Sequence, residues 1–232
     1  MRHNSYQKNT LTVFATMAVM VFTSTSHAAL INYSQDFELL NRADAVALGN
    51  DGWLISDNVP APNNGPGFST ITSGQGGPAQ GAQQLIVFSD YMNAGHAAGN
   101  WVETLVYQEQ AISITDVGST WNFTFDVKQG DQIFDSSSNA FLKTTTSEST
   151  LNTTAFGSDW GTLTLSLEID DSLVGQLLQF GFSTTATSYT PSGMLYDNIN
   201  FSSTSAVPVP GAVWLMMSGL VGLVGMSRRG KS

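Results

Sequence analysis

Residues 120–128 (TWNFTFDVK) and 161–169 (GTLTLSLEI) decide the fold, because both stretches alternate apolar and polar side chains with a period of two. In each stretch every second residue is aromatic or aliphatic, apart from Gly161 at the start of the second stretch, and the residues between them are polar. Successive side chains of a β-strand point to opposite faces of the sheet. Both stretches are therefore predicted to be strands with one buried face and one solvent-facing side. Trp121 lies on the predicted buried face of the first strand.

Further segments with the same alternation in a weaker form flank these two strands. They are residues 52–56, 68–72, 84–89, 101–107, 140–144, 177–184 and 194–201. Turn residues such as Gly, Pro, Asn and Asp separate them, and the one helical pattern, at residues 39–48, is short. Nine short strands with almost no helix predict an all-β fold, a single antiparallel β-sandwich.

The first 28 residues have the pattern of a signal peptide. Arg2 and Lys8 give a positive start, and an uncharged apolar run follows at residues 11–22. That run is much shorter than the roughly 20 residues that span a bilayer. The small residues Ser26 and Ala28 flank His27, which is the small-x-small pattern that signal peptidase prefers. We therefore expect cleavage after Ala28 and an exported protein. An uncleaved anchor helix is the alternative.

The C-terminal segment, residues 207–232, combines a proline motif, a short apolar run at residues 212–226 and a basic cluster. Two prolines favour an extended backbone in the motif. The basic cluster should remain cytoplasmic under the positive-inside rule, which places the preceding domain across the membrane. The motif is Val207, Pro208, Val209, Pro210 and Gly211, and the cluster contains Arg228 and Arg229.

This segment resembles the PEP-CTERM family of sorting signals, in its VPLPA-type variant. The resemblance implies that an exosortase in the inner membrane recognises and cleaves the tail. The protein would then reach the cell surface or the extracellular matrix of a Gram-negative bacterium. Val209 replaces the acidic residue of the PEP form, and Gly211 stands where the variant usually has alanine. The alternative is a structural or adhesive surface protein that its C-terminal helix anchors permanently.

Residues 29–206 have a length suited to one domain, and they are strongly acidic. All 18 Asp and Glu residues lie there, whereas only three of the eight Lys and Arg residues do: Arg42, Lys128 and Lys143. This charge excess repels nucleic acid and anionic lipid, so neither is an expected partner. The chain has no cysteine, so no disulfide stabilises the exported domain.

Signals of catalysis are sparse, and we therefore expect a protein that is not an enzyme. His96 is the one histidine of residues 29–206, and it lies in a Gly- and Ala-rich stretch. Neither a Gly-x-Ser-x-Gly elbow nor a His-Glu-x-x-His zinc motif occurs. Two carboxylates brought together from distant strands would remain compatible with glycoside hydrolysis.

The two ends of the predicted sandwich carry a second resemblance. Residues 35–38 (QDFE) and 195–201 (LYDNINF) resemble the first and last strands of jelly-roll domains related to carbohydrate-binding modules. In those domains the two strands are neighbours, and a calcium ion often joins them. The resemblance implies that Glu38 and Asp197 are the candidate ligands of a structural Ca²⁺, an ion that prefers oxygen donors.

Carbohydrate binding also requires exposed aromatic rings beside polar side chains. The aromatic residues that lie at predicted strand ends or in polar loops are Trp53, Tyr91, Trp101, Trp160 and Tyr189. We expect some of this group to contact extracellular polysaccharide. A structural or adhesive protein without sugar specificity is the alternative.

Overall fold

The computed structural model describes residues 28–58, 67–89, 102–132, 136–186 and 192–204, without the side chains of residues 67, 68, 131 and 132. It contains one helix, Ala47–Asn50, and two short 3₁₀ turns, Ile114–Asp116 and Asp171–Leu173, within these ranges. The strands are β1 (Tyr33–Gln35), β2 (Leu54–Asp57), β3 (Gly67–Ser73), β4 (Gln83–Ser89), β5 (Val102–Ala111), β6 (Thr120–Gln132), β7 (Ser137–Lys143), β8 (Glu148–Asn152), β9 (Gly161–Glu168), β10 (Leu177–Ala186) and β11 (Ser192–Thr204).

The strands form two antiparallel sheets. Sheet A has the order β3-β4-β11-β6-β9, and β1 pairs with β11 as well. Sheet B has the order β2-β5-β10-β7-β8. Long strands occupy the centre of each sheet, and the chain crosses between the sheets several times. The predicted all-β antiparallel sandwich of the jelly-roll type is therefore confirmed.

Aromatic side chains fill the space between the sheets. Phe182 of sheet B stacks on Tyr196 of sheet A with ring centroids 3.6 Å apart, and Phe180 stacks on Phe201 at 4.1 Å. Trp121 is buried, as its place in the alternating pattern predicts. Such aromatic pairs add about 0.5–1.5 kcal/mol each beyond the area that they bury.

Two connections between the sheets have the same local structure. Each begins with a 3₁₀ turn and ends in a glycine with a positive φ, 80° at Gly118 and 84° at Gly175. The Gly118 N–H donates to the carbonyl oxygen of Ile169 (2.8 Å), and the Gly175 N–H donates to that of Ile112 (2.9 Å). Each connection is thus hydrogen-bonded to the first residue of the other connection.

Three details differ from the sequence-based expectations. The helix comprises only Ala47–Asn50, so the prediction of a helix over residues 39–48 is wrong for most of its length. Strands β1 and β8 lack a recognisable pattern: β1 has three residues, and β8 is a polar strand at the edge of sheet B. Neither strand contributes enough apolar side chains to produce a periodic signal.

Several predicted features lie outside the described residues. These are the signal peptide, the sorting motif with its basic cluster, and the aromatic residues Tyr91, Trp101 and Tyr189. Among the residues that the structure describes, no helix combines the length and the apolar character that a membrane crossing requires.

Candidate functional site

The first and last strands meet at a junction that contains both predicted metal ligands. Strand β1 pairs with β11 from Tyr33↔Phe201 to Gln35↔Ile199, whereas β4 pairs with the earlier part of β11. On its other side β11 pairs with β6, so β1 and β4 follow one another along the same edge of β11. We call the place where they meet the β1–β11 junction. Asn198 lies there with a φ of 47°, within an irregularity of the β6 pairing.

Glu38 ties the end of β1 to the start of β4. Its Oε1 atom accepts hydrogen bonds from the N–H groups of Ala82 and Gln83, both at 2.7 Å. Phe37, the preceding residue, has a φ of 62° and a fully buried ring. This left-handed residue turns the chain so that the Glu38 carboxylate reaches the backbone of the neighbouring strand.

Backbone oxygens of the same turn converge on one side chain. The Gln83 Nε2 atom donates to the carbonyl oxygens of Phe37 (3.0 Å), Glu38 (3.1 Å) and Leu40 (3.1 Å). The turn after β1 therefore presents several carbonyl oxygens toward the beginning of β4. Carbonyl and carboxylate oxygens are the donors that hard cations prefer.

Asp197 is the least satisfied acidic group of the junction. Its side chain is 0% exposed; Oδ1 accepts the Asn198 N–H at 2.6 Å, whereas the buried Oδ2 has no hydrogen-bond partner among the described residues. Burial raises the pKa of Asp197 to about 7, because a charged form is costly away from water. The negative charges of Glu38 and Asp126 add to that rise.

Asp126, the cross-strand neighbour of Asp197, is fully hydrogen-bonded by contrast. Gln80 Nε2 (2.8 Å), Asn198 Nδ2 (2.7 Å) and Thr162 Oγ1 (2.5 Å) all donate to its carboxylate. Burial alone would raise the pKa of Asp126, but these hydrogen bonds outweigh it and hold the pKa below its usual value. Of the two neighbouring carboxylates, only Asp197 has an oxygen left to engage a ligand.

The junction meets part of the requirement for a cation site. Within the described ranges, no group of three or more His, Cys, Asp or Glu side chains is placed to hold a metal ion. Glu38 and Asp197 would therefore need carbonyl oxygens to complete a coordination shell of about six to eight ligands. The buried Oδ2 atom and the all-oxygen donor set both fit a hard cation such as Ca²⁺.

Trp53, one of the residues predicted to contact sugar, is buried in the core. It is 2% exposed, and its ring packs against Tyr33, Phe37 and Phe180 with centroids 5.9–6.5 Å apart. The prediction that Trp53 offers a ring to a ligand is therefore wrong. Its position at a predicted strand end gave no indication that three other aromatic rings would enclose it.

Trp160 is half-buried and stabilises the connection between β3 and β4. Its Nε1 donates to the Gln75 carbonyl oxygen at 3.0 Å, and the same oxygen accepts from Lys128 Nζ at 3.2 Å. Lys128 Nζ also lies 5.9 Å from the centroid of the Trp160 ring. These contacts hold residues 74–82 against the outer face of sheet A. That Trp160 contacts a ligand stays a prediction.

The outer face of sheet B carries an aromatic row that the sequence analysis missed. Strand register aligns Tyr107 of β5, Gly181 of β10 and Phe141 of β7 side by side. The flanking residues Phe180 and Phe182 point into the core, so these three positions face outward. The two rings are 6.5 Å apart on either side of the glycine. Tyr107, Gly181 and Phe141 are called the aromatic row below.

Gly181 allows Tyr107 to approach closely in the middle of the aromatic row. A Cβ atom at this position would lie 2.1 Å from the Val106 carbonyl oxygen and 2.7 Å from Tyr107 Cβ, so no side chain fits. Phe141 is only 4% exposed, and Lys143 Nζ lies 5.1 Å from its ring centroid. Tyr107 is half-buried and provides the accessible aromatic surface of the row.

Polar side chains border the aromatic row on both sides. Cross-strand pairing aligns these side chains in two rows. One row carries carboxylate, amide and ammonium groups, and the other carries amide and hydroxyl groups. The first row is Glu109, Gln179, Lys143 and Glu148. The second is Ser56, Ser183, Asn139 and Asn152, with the aliphatic Leu105 between Ser56 and Ser183. The alternation in residues 101–107 was the signal that could have identified Tyr107 as an outward-facing residue.

A surface groove of about 490 Å³ adjoins the β1–β11 junction. Its described lining includes Asp36, Leu39, Asp51 and Asn198, and these lining residues are polar or aliphatic. Because an aromatic ring is lacking from that lining, the outer face of sheet B is better suited to stack against a planar or cyclic ligand.

No protein-family model and no curated protein match the sequence. Solved structures do match. A cyclase from Fischerella sp. TAU is 13% identical, with a TM-score of 0.50 over 76% of this chain and 99% of that chain. TmCBM61 in complex with beta-1,4-galactotriose is 10% identical, with a TM-score of 0.43 over 66% and 88%. The CBM22-1–GH10 modules of Clostridium thermocellum xylanase 10B with xylohexaose are 13% identical, with a TM-score of 0.43 over 78% and 29%.

At these identities the likeness concerns the fold alone. It transfers neither a ligand nor a reaction to this chain. The functional argument therefore depends on the geometry of the junction and of the aromatic row.

We expect the buried Asp197 to make the metal-free protein less stable as pH rises. A carboxyl group whose folded pKa is raised to about 7 stabilises the fold below its ordinary pKa, and this stabilisation is lost as pH rises to about 7. At about 1.4 kcal/mol per pKa unit, the loss amounts to a few kcal/mol. Asp197→Asn should flatten the dependence, measured as the free energy of urea unfolding between about pH 5 and 8 in chelator.

Asp170→Asn is the matched control. This exposed carboxylate has a lowered pKa because the Ser172 side chain and backbone donate to it, so it stays ionised across the range. A wild-type profile that is flat, or that Asp170→Asn flattens as much as Asp197→Asn does, would contradict the assignment.

Proposed function

We propose that this chain is an exported, non-catalytic protein that binds extracellular polysaccharide through the outer face of sheet B. The observation that supports the proposal is the aromatic row, in which the accessible Tyr107 ring lies beside Gly181 between two polar rows. Sugars combine an apolar C–H face with a rim of hydroxyl groups. A row of this kind offers an apolar surface to the first and hydrogen-bonding groups to the second.

The polar rows supply both donors and acceptors for sugar hydroxyl groups. Asn139 and Gln179 contribute amides, Ser183 a hydroxyl group and Glu109 a carboxylate. Gln179 Nε2 already donates to Glu109 Oε2 at 2.6 Å, which holds both side chains in place beside the row. A face ordered in this way loses less side-chain entropy when a ligand binds.

Tyr107→Ala should weaken binding of the full-length protein to exopolysaccharide from the producing organism by about tenfold or more, because it removes the stacking surface. Tyr107→Phe keeps the ring and should retain most of the affinity. Dissociation constants from calorimetry or from binding to immobilised polysaccharide test this expectation.

Trp160→Ala tests whether the sugar site includes Trp160, which the sequence analysis predicted to contact sugar, instead of the outer face of sheet B. A loss of affinity in Trp160→Ala with none in Tyr107→Ala would place the sugar site on the opposite sheet. Binding that neither variant changes, or a complete lack of glycan binding by the wild type, would favour the structural or adhesive alternative.

We also propose that Ca²⁺ binds at the β1–β11 junction and stabilises the sandwich. Glu38 and Asp197 would contribute carboxylate oxygens, and the turn after β1 would contribute carbonyl oxygens. The bound ion supplies positive charge to an acidic group that is otherwise buried without a full set of partners. Because the chain lacks cysteine, no disulfide can join the first and last strands, and the bound ion would join them instead.

Calcium should raise the melting temperature of the wild type in a concentration-dependent manner. An ion that binds only the folded state stabilises it by about 2.7 kcal/mol at one hundred times its Kd, which corresponds to several degrees. Asp197→Asn should abolish the effect, and Asp170→Asn should leave it unchanged. An equal response to Mg²⁺, or a response that survives in Asp197→Asn, would reject this site.

Sorting completes the proposal. The proline motif Val207–Gly211, the apolar run and Arg228 with Arg229 support recognition by an exosortase at the inner membrane, with release to the cell surface or matrix of a Gram-negative bacterium. In an exosortase-positive host, intact mass should show a mature protein that starts at Ala29 and lacks the apolar run. A surface protein that retains residues 212–226 would favour the permanent anchor.

A further inference from the structure

Acidic side chains lie on both sides of the aromatic row on the outer face of sheet B. Glu109 follows Tyr107 by two residues and lies in the polar row on one side, with Glu148 at the far end of the same row. Glu103 precedes Tyr107 by four residues and lies on the other side along β5. Lys143 is the one basic residue among the described outward positions of sheet B. Two carboxylates and one ammonium group therefore lie in one of the polar rows that border the aromatic row, and a third carboxylate lies beyond the other polar row.

The single positive charge is already engaged with the face. Lys143 Nζ lies 5.1 Å from the Phe141 ring centroid, in the range of a cation–π contact. Burial raises the pKa of Glu103, and Lys143 partly opposes that rise, so the ammonium group also acts on an acid of the same face. Among the described residues, a ligand that approaches Tyr107 thus meets more carboxylates than ammonium groups.

Distances along the strand bring these charges within reach of a bound sugar. Glu109 is two residues from Tyr107, which corresponds to about 7 Å at the rise of an antiparallel strand. The hydrogen bond from Gln179 fixes Glu109 in this position. A substituent of a sugar ring stacked on Tyr107 would lie a few ångström from that carboxylate.

The rest of the protein adds to the same field. Of the 18 acidic residues, all fall within residues 29–206, which contain only three basic residues. A surface of one sign attracts ligands of the opposite sign and repels those of its own sign. A polysaccharide rich in uronic acid, sulfate or phosphate is disfavoured on this ground.

We infer that the outer face of sheet B selects glycans that carry protonated amino sugars over their N-acetylated forms, and that it rejects uronic-acid polymers. This inference rests on the proposed function, since it names the class of glycan that the same face binds. A protonated amine about 6 Å from one carboxylate changes affinity by about threefold under full solvent screening, and by more where water is excluded.

The test compares three defined probes on the full-length protein at about pH 6: a glucosamine hexamer, its N-acetylated counterpart and a galacturonate hexamer. We expect the glucosamine hexamer to bind at least about threefold more tightly than the N-acetylated form, and the galacturonate hexamer most weakly. Raising the ionic strength from about 50 to 300 mM should reduce the difference, because salt screens exposed charges.

Variants assign the selectivity to this face. Glu109→Gln and Glu103→Gln should each reduce the ratio of the affinity for the glucosamine hexamer to that for the N-acetylated hexamer. Glu168→Gln, which removes a carboxylate from β9 of sheet A, is the matched control and should preserve the preference. A preference that all three variants reduce equally would show a general charge effect and would overturn the assignment to sheet B.

The outcomes separate this inference from the proposed function. Tighter or equal binding of the N-acetylated or galacturonate hexamer, with Tyr107→Ala still weakening it, would overturn the charge selectivity and leave sugar binding in place. Binding of all probes that is insensitive to Tyr107→Ala would instead overturn the proposed binding face and the inference that depends on it.

Discussion

Aromatic stacking between the two sheets is the interaction on which the rest of the structure depends. The rings of Phe182 and Tyr196 approach to 3.6 Å, and those of Phe180 and Phe201 to 4.1 Å, in each case across the sandwich. The chain has no disulfide to take over this role, because it has no cysteine. Burying these faces is the dominant favourable term in folding such a domain. The position of every outward-facing residue follows from which side chains are buried between the sheets.

The residues buried between the sheets determine, through strand register, which residues are neighbours on the outer faces. A slip of one residue in β10 would expose Phe180 and Phe182, so the pairing with β5 and β7 is strongly fixed. The same register places Gly181 between Tyr107 and Phe141 and aligns the polar rows beside them. The aromatic row is therefore a consequence of core packing, although its own residues contribute little to the core. A binding face built on central strands is also held more rigidly than one built on loops.

The β1–β11 junction is organised by a different balance, between burial and charge. Its backbone groups are tied together by Glu38 and Gln83, and Asp126 is satisfied by three donors. Asp197 keeps a buried oxygen that has no hydrogen-bond partner among the described residues, and burial raises the pKa of this carboxyl group. A polar group left in this state is costly, which is why such groups are rare unless they bind something. The unsatisfied oxygen lies where the first strand of the domain meets the last.

The sequence by itself determined the fold class, because period-two alternation in residues 120–128 and 161–169 is a local property that burial of one face requires. It also indicated the acidic character of the domain, and the similarity of its two ends to jelly-roll strands drew attention to Glu38 and Asp197. Only the tertiary structure decided which outward residues are neighbours. It buried Trp53 among three other rings and brought Tyr107 to Phe141 across Gly181. Such contacts join residues far apart in the chain, and no local pattern encodes the strand order that unites them.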